Sequence, residues 1–135
     1  MAKQGFAASD RRKVEVITTA THNVESHDCG TVFILAHATA NADCDVTLPT
    51  IAQAGEGWWC KFVLSAVKDN GSEVSIDADG DTLENLLEIS GDGTNNCFAV
   101  GDNKIKFDGD VDVKGDTLEL IVANGEWYAY AHSAT

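Results

Sequence analysis

The sequence predicts an all-β, single-domain protein: an antiparallel sandwich or barrel, jelly-roll-like, with a short extended N-terminal arm. Most segments are β-branched or aromatic, and glycine occurs 12 times while proline occurs once. Turn signals recur about every 8–12 residues, a spacing typical of sandwiches and barrels. A chain of 135 residues can enclose one hydrophobic core. We therefore divide it into an arm, residues 1–13, and one domain, residues 14–135.

The predicted strands are rich in valine, isoleucine, threonine and aromatic residues and are bounded by turn residues. They cover residues 14–19, 31–35, 45–48, 58–67, 73–77, 97–100, 104–107, 111–113, 118–122 and 127–131. Asn124-Gly125 predicts a tight hairpin between the last two, and the turn residues 69–72 predict another. Pro49 has no N–H for a sheet ladder, so it should end the strand before it.

Residues 82–89 (TLENLLEI) form the one helical candidate. The segment is short and is followed by SGDG, so a single helical turn or an irregular loop is as compatible with it as a helix.

The strand that begins at Trp58 has a buried and an outward side. Because successive side chains alternate, Trp58, Cys60 and Phe62 share one side, and Trp59 and Lys61 share the other. The first side is the expected core. Trp59 is therefore a candidate contact residue.

The last strand repeats this pattern, with Tyr128 and Tyr130 opposite Trp127. A row of exposed rings could bind sugars. Subunit packing is the favoured interpretation, because aromatic residues are enriched in the cores of protein interfaces.

The net charge of −13 argues against nucleic acid as a partner, since phosphates would be repelled. Residues 1–13 differ from the rest, because Lys3, Arg11, Arg12 and Lys13 outnumber Asp10. This basic arm either docks on an acidic surface or is a frayed tail without a role.

The remaining polar residues indicate neither a metal centre nor catalysis. The four cysteines lack zinc-like spacing and are expected to be buried free thiols, although pairing after release from a cell stays open. Asp77, Asp79, Asp81 and Glu88 imitate a calcium loop, yet threonine replaces the glycine that its turn requires. The four histidines are scattered, with surface or edge positions expected. With no nucleophile elbow, phosphate loop or HExxH motif, we expect no enzyme, cofactor or metal.

No apolar run is long enough for a membrane helix, and the N-terminus is unlike a signal peptide. Synthesis in a cytoplasm is therefore expected.

The order of the strand motifs resembles a β module widespread in tailed-bacteriophage virion proteins. The segments that carry the resemblance are HDCGTVFIL at 27–35, VTLP at 46–49, GWWCKFVL at 57–64, GDTLEL at 115–120 and NGEWY at 124–128. Cys29 replaces the family's usual serine and Asn124 its usual aspartate. The resemblance covers about residues 14–132.

This resemblance implies a structural virion protein. A small β domain with a short arm is similar to a capsid decoration (cement) protein, which stabilises the shell from its outer surface and is commonly trimeric. The implied partners are the major capsid protein and further copies of the chain. Contacts are expected at Lys3, Arg11, Arg12, Lys13, Trp59, Tyr128 and Tyr130. A fibre or receptor-binding module and a carbohydrate-binding domain are the alternatives.

Overall fold

The structure is a computed structural model that describes residues 11–69, 71–83, 85–90, 97–100, 103–107 and 114–133, with backbone alone for 85–90 and 97–100. Within these described ranges the elements are strands apart from one short α-helix and one 3-10 turn at Ser26–Asp28. In chain order they are β1 (Lys13–Ile17), β2 (Thr21–Asn23), β3 (Thr31–Leu35), β4 (Cys44–Thr47), α1 (Ile51–Ala54), β5 (Trp59–Leu64), β6 (Val74–Asp77), β7 (Asn85–Ser90), β8 (Cys97–Val100), β9 (Lys104–Phe107), β10 (Thr117–Ala123) and β11 (Glu126–Ser133).

The strands form two mixed sheets. One has six strands in the order β1-β3-β5-β10-β11-β7, and the other has five in the order β2-β4-β6-β9-β8. From β1 to β6 the chain enters the two sheets alternately, so β1, β3 and β5 are parallel neighbours in one sheet. In the same way β2, β4 and β6 are parallel neighbours in the other.

The all-β prediction is confirmed, but the antiparallel arrangement is not. Five of the nine ladders are parallel, and among the described strands neither sheet closes into a barrel. The two turns predicted at residues 69–72 and at Asn124-Gly125 are present. Most connections between the described strands nevertheless cross to the other sheet.

The segment 69–72 shows this difference. Ser72 N–H donates to the Asp69 carbonyl (3.0 Å) and Gly71 has φ 77°, so a turn is present. However, β5 before it and β6 after it lie in different sheets, and the predicted hairpin is wrong. The second predicted hairpin is confirmed, because Asn124 and Gly125 both have positive φ between the antiparallel β10 and β11.

One further sequence expectation needs correction. The helical candidate at 82–89 is wrong for residues 85–89, since β7 (Asn85–Ser90) is a strand parallel to β11. The short helix lies instead at α1, which follows Pro49 and the N-cap residue Thr50, whose hydroxyl accepts from Gln53 N–H (3.2 Å). The predicted strand at 111–113 lies outside the described residues.

The buried side chains of the two sheets form one hydrophobic core. Phe33 and Phe62 stack on neighbouring strands with ring centroids 5.3 Å apart, and Trp58 meets Trp127 edge to face at 5.7 Å. His22 of β2 packs on Phe33 of β3 at 5.8 Å, which links the two sheets. The predicted alternation in residues 58–62 is confirmed, since Trp58, Cys60 and Phe62 are all buried.

Candidate interaction surface

The six-stranded sheet has an outer face, on the side opposite the core, that is rich in apolar side chains. The strand register aligns these outward residues in three rows. They are Val16, Ile34, Val63, Thr117 and His132 in the first row, Val14, Val32, Lys61, Glu119 and Tyr130 in the second, and Trp59, Ile121 and Tyr128 in the third.

Several of these apolar side chains are open to solvent. Val14 is 60 % exposed, Val16 is 57 % exposed and Tyr130 is 46 % exposed. Val14 and Val16 lie on β1, an edge strand of the sheet. Tyr130 lies on β11, with three strands between it and β1. Exposed apolar side chains grouped on one face can mark a site of interaction with another molecule.

Polar side chains occupy the centre of the outer face. Lys61, Thr117, Glu119, Tyr130 and His132 line a shallow depression. Lys61 and Glu119 are direct neighbours in the ladder between β5 and β10, so the centre carries one charge of each sign.

The tyrosines beside this depression are outward, as predicted. Tyr128 is partly exposed and Tyr130 is exposed, while Trp127 and Ala129, which point to the other side, are buried. The Tyr128 hydroxyl donates to Glu126 Oε2 (3.2 Å). This hydrogen bond, together with the negative charge of Glu126, raises the pKa of Tyr128.

The outer face of the five-stranded sheet has a different chemistry. The Ser75 hydroxyl donates to Asp45 Oδ1 (2.6 Å), and Lys104 pairs with Asp77 (3.5 Å). Lys106 also pairs with a carboxylate, that of Glu73. In the part of this sheet whose side chains the structure describes, these polar groups thus have partners within the chain.

The base of the N-terminal arm is fixed to the domain. The Arg12 guanidinium lies 5.3 Å from the centroid of the Trp59 ring, a cation–π arrangement. Lys13 belongs to β1, and its Nζ lies 3.1 Å from Asp28 Oδ1. Of the four predicted basic contacts, Arg12 and Lys13 thus engage the chain itself. Arg11 is exposed, and Lys3 lies outside the described residues.

Asp28 is the partner that holds this base. Its side chain is only 7 % exposed, and Oδ2 accepts a hydrogen bond from Glu25 N–H (2.9 Å). Burial raises the pKa of this carboxyl, but the Glu25 hydrogen bond and the nearby Lys13 charge outweigh burial and lower it.

Gly30 also contacts Trp59, the residue on which Arg12 lies. Its N–H donates to the Trp59 carbonyl (2.7 Å) and its φ is 79°, a conformation that side chains rarely adopt. A β-carbon here would lie 3.7 Å from the Trp59 ring. Trp59 is therefore covered by Arg12 and Gly30 and is only partly exposed.

The acidic segment that imitates a calcium loop has other contacts. Asp81 Oδ2 accepts from Ile51 N–H (2.6 Å) at the start of α1, and Asp77 faces Lys104. The Glu88 side chain is outside the described part. Within the residues described, no cluster of three or more histidine, cysteine or acidic side chains could hold a metal ion.

The cysteines follow the prediction in part. Cys44 and Cys60 are buried free thiols, and burial raises the pKa of both. Cys29 is exposed, which corrects the expectation of burial. The Cys97 side chain lies outside the described part.

Two polar side chains bind backbone groups that are distant along the chain, and the sequence analysis predicted neither. We call them the polar clamps. Lys68 is 2 % exposed, and its Nζ donates to the carbonyls of His37 (3.0 Å) and Thr39 (2.9 Å) and contacts His37 Nδ1 (2.8 Å). Glu56 accepts hydrogen bonds from the N–H groups of Asn124 and Gly125. Nothing in the local sequence marks either residue, because each partner is distant along the chain.

No protein-family model matches the chain, and no match is found among curated proteins. In the part of the chain that the structure describes, no helix has the length and apolar character needed to cross a membrane.

Proposed function

We propose that this chain is a structural protein of a phage virion, a decoration protein that binds the outside of the capsid and stabilises the shell. The observation that carries the proposal is the outer face of the six-stranded sheet, which exposes Val14, Val16 and Tyr130 around a polar centre, whereas the described polar groups on the other outer face are paired within the chain. Such asymmetry suits attachment to protein. The phage assignment depends on the motif resemblance.

The proposed mechanism is thermodynamic linkage between subunit binding and the stability of the shell. A subunit that binds the assembled shell and not its separated parts stabilises the shell by its binding free energy, which grows with the free concentration of the subunit. Several copies that also contact one another, three being the number that the resemblance implies, add avidity through high effective concentration.

The N-terminal arm is the proposed capsid contact. Since Arg12 and Lys13 are bound to Trp59 and Asp28, Lys3 and Arg11 are the basic groups left for an acidic site on the major capsid protein. Apart from the outer face of the six-stranded sheet, the acidic remainder of the chain, with net −16 after residue 13, faces water.

The fold-level proposal is a sandwich of the two sheets. The contact of His22 with Phe33 across the sheets and the shared core support it.

Binding to shells depleted of this protein tests the function. The full chain and a chain lacking residues 1–12 are mixed with such shells, and occupancy and the melting temperature of the shell are measured. We expect high occupancy and a raised melting temperature with the full chain, and a loss of both without the arm. Absence of binding by the full chain overturns the function, and unchanged binding of the shortened chain overturns the role of the arm.

Counting copies in purified particles separates decoration from a fibre or receptor-binding role. A high copy number supports decoration, whereas a few copies per particle supports a fibre or tail component.

The central depression favours one alternative, carbohydrate binding. Tyr130 offers a ring, and Lys61, Glu119 and His132 offer polar groups beside it. A glycan array tests this directly, with Tyr130→Ala as the variant that should lose any signal.

A further inference from the structure

We propose that an extended segment of the major capsid protein binds the free edge of β1 and adds one strand to the six-stranded sheet. The inference rests on the proposed function and deepens it, because it names the surface and the kind of bond that hold the protein on the shell. The expected segment places apolar side chains beside Val14 and Val16 and an acidic side chain near Arg11.

The backbone of β1 has bonding groups to offer at this edge. Among the described strands, β3 alone lies beside β1. Ala36 N–H donates to the Ile17 carbonyl (2.8 Å), so the backbone groups of Ile17 point toward β3. Successive residues of a strand direct these groups to opposite sides. The N–H and C=O groups of Val14 and Val16 therefore point to the edge where no described strand lies.

The edge strand of the other sheet, β2, is protected in ways that β1 is not. β2 has three residues, all polar, and the Thr19 hydroxyl donates to the Thr21 carbonyl (2.7 Å). β1 has five residues, and the side chains of Val14 and Val16 are exposed. Natural edge strands are usually short, charged or interrupted, because an open edge is a template for a further strand. The contrast indicates that β1 is an edge kept open for a partner.

The charged side chains of β1 have partners on the domain and do not close this edge. Lys13 Nζ lies 3.1 Å from Asp28 Oδ1. Glu15 Oε1 lies 3.8 Å from Nε2 of His22, on β2. The side chains left beside the free backbone groups are thus the two valines.

The charge beside β1 favours an acidic segment as the occupant. Residues 11–13 place three basic side chains at the start of β1, and Arg11 among them is exposed, whereas the chain after residue 13 carries net −16. An acidic segment is therefore repelled by the rest of the molecule and attracted here. In strand addition, main-chain hydrogen bonds supply affinity and alternate side chains supply specificity. Backbone groups and valines at the edge fit an extended peptide with apolar residues at alternate positions.

Shells depleted of this protein are the probe. The test variant Val16→Pro removes an N–H that points to the free edge, a place where a sheet tolerates proline. The matched control Asn23→Pro does the same on β2, since Val24 N–H, two groups on from that of His22, is the one that bonds the Thr47 carbonyl (2.8 Å). A second pair, Val16→Lys and Asn23→Lys, keeps both N–H groups and remains informative if a proline variant does not fold.

We expect Val16→Pro to raise the concentration for half occupancy at least about tenfold, a loss of about 1.4 kcal/mol. Val16→Lys should raise it as well, because a charge on an edge opposes strand pairing. Both variants of Asn23 should bind as the wild type does. Hydrogen exchange supplies a signature of strand addition: the amides of Val14 and Val16 should exchange faster than that of Ile17 in the free protein and become protected on shells.

A charge reversal tests the acidic partner. Arg11→Glu should weaken binding to shells, and added salt should weaken the binding of the wild type. Lys114→Glu, at an exposed lysine outside β1, should have little effect.

The outcomes separate this inference from the proposed function. A wild type that does not bind shells overturns the function, and the inference with it. Wild-type binding that Val16→Pro leaves unchanged, or that Asn23→Pro weakens equally, overturns the inference alone. Binding without protection of the Val14 and Val16 amides also overturns it, and protection that grows with protein concentration in the absence of shells would identify a second copy as the occupant. Circular dichroism of each variant checks that the fold is retained.

Discussion

Removing the Asp28 carboxylate should destabilise the domain more than removing the lysine that pairs with it. Asp28 binds both Lys13 Nζ (3.1 Å) and Glu25 N–H (2.9 Å). The bond from Glu25 N–H belongs to a capping box at the start of the 3-10 turn, with Glu25 as the N-cap residue. Loss of a capping hydrogen bond costs about 0.5–2 kcal/mol, and an ion pair whose lysine is exposed contributes about 0.2–1 kcal/mol. We therefore expect Asp28→Ala to lower the free energy of unfolding by about 1–3 kcal/mol.

Lys13→Ala should cost less, about 0.2–1 kcal/mol, because its side chain is 54 % exposed and solvent screens the pair. Urea unfolding of the two single variants and the double variant gives the coupling energy between them, which should stay below about 1 kcal/mol. Asp28→Asn keeps an oxygen that can accept from Glu25 N–H and should fall between the two. Equal losses for Lys13→Ala and Asp28→Ala would refute this division between cap and ion pair.

The pH dependence of Asp28 provides an independent check. The carboxyl has a lower pKa in the folded protein, so the stability it contributes is complete above the unfolded pKa of about 3.9 and is lost as pH falls through the folded value. The difference in stability between the wild type and Asp28→Asn should therefore shrink below about pH 4. A difference that stays constant into acid would show that the charge of Asp28 contributes nothing.

Two further variants test the polar clamps. Lys68→Met leaves the carbonyls of His37 and Thr39 without this donor and should lower the free energy of unfolding by about 2 kcal/mol or more. The control Lys114→Met, at an exposed lysine, should change it by less than about 0.5 kcal/mol. Similar losses for the two variants in urea unfolding would contradict a clamping role for Lys68. Glu56→Ala removes the acceptor of the β10–β11 turn and should lower the free energy of unfolding by about 0.5–1.5 kcal/mol. The stability of Glu56→Gln should lie between that of the wild type and that of Glu56→Ala. Amide exchange in the turn should become faster in Glu56→Ala. Unchanged exchange there would argue against the contact.

The sequence predicted strand positions well because their signals are local. Alternation in residues 58–62 correctly separated Phe62 and Cys60 in the core from Lys61 outside. Alternation did not identify a strand in residues 82–89, because the spacing of the leucines there suits a helix as well as a strand. Pairing with β11 makes it a strand, and such tertiary contacts are not visible in the segment itself.

The candidate surface was predictable in pieces but not as a whole. The outward placement of Tyr128 and Tyr130 follows from alternation alone. Tyr128 shares a row with Ile121 and Trp59 because β11, β10 and β5 are neighbours in the sheet. This strand order comes from long-range pairing, which alternation does not show. Val14 and Val16 were missed as surface residues because a β-branched run normally indicates burial.

The alternation of the chain between two sheets has a consequence for folding kinetics. The ladder between β10 and β11 closes across the short turn at Asn124-Gly125. By contrast, Lys13 must find Thr31 and Cys44 must find Val74, each after an intervening strand has entered the opposite sheet. Loop-closure entropy must be overcome before such distant contacts contribute, which slows folding. The parallel half of the molecule should therefore form late, during which its apolar strands are exposed to aggregation.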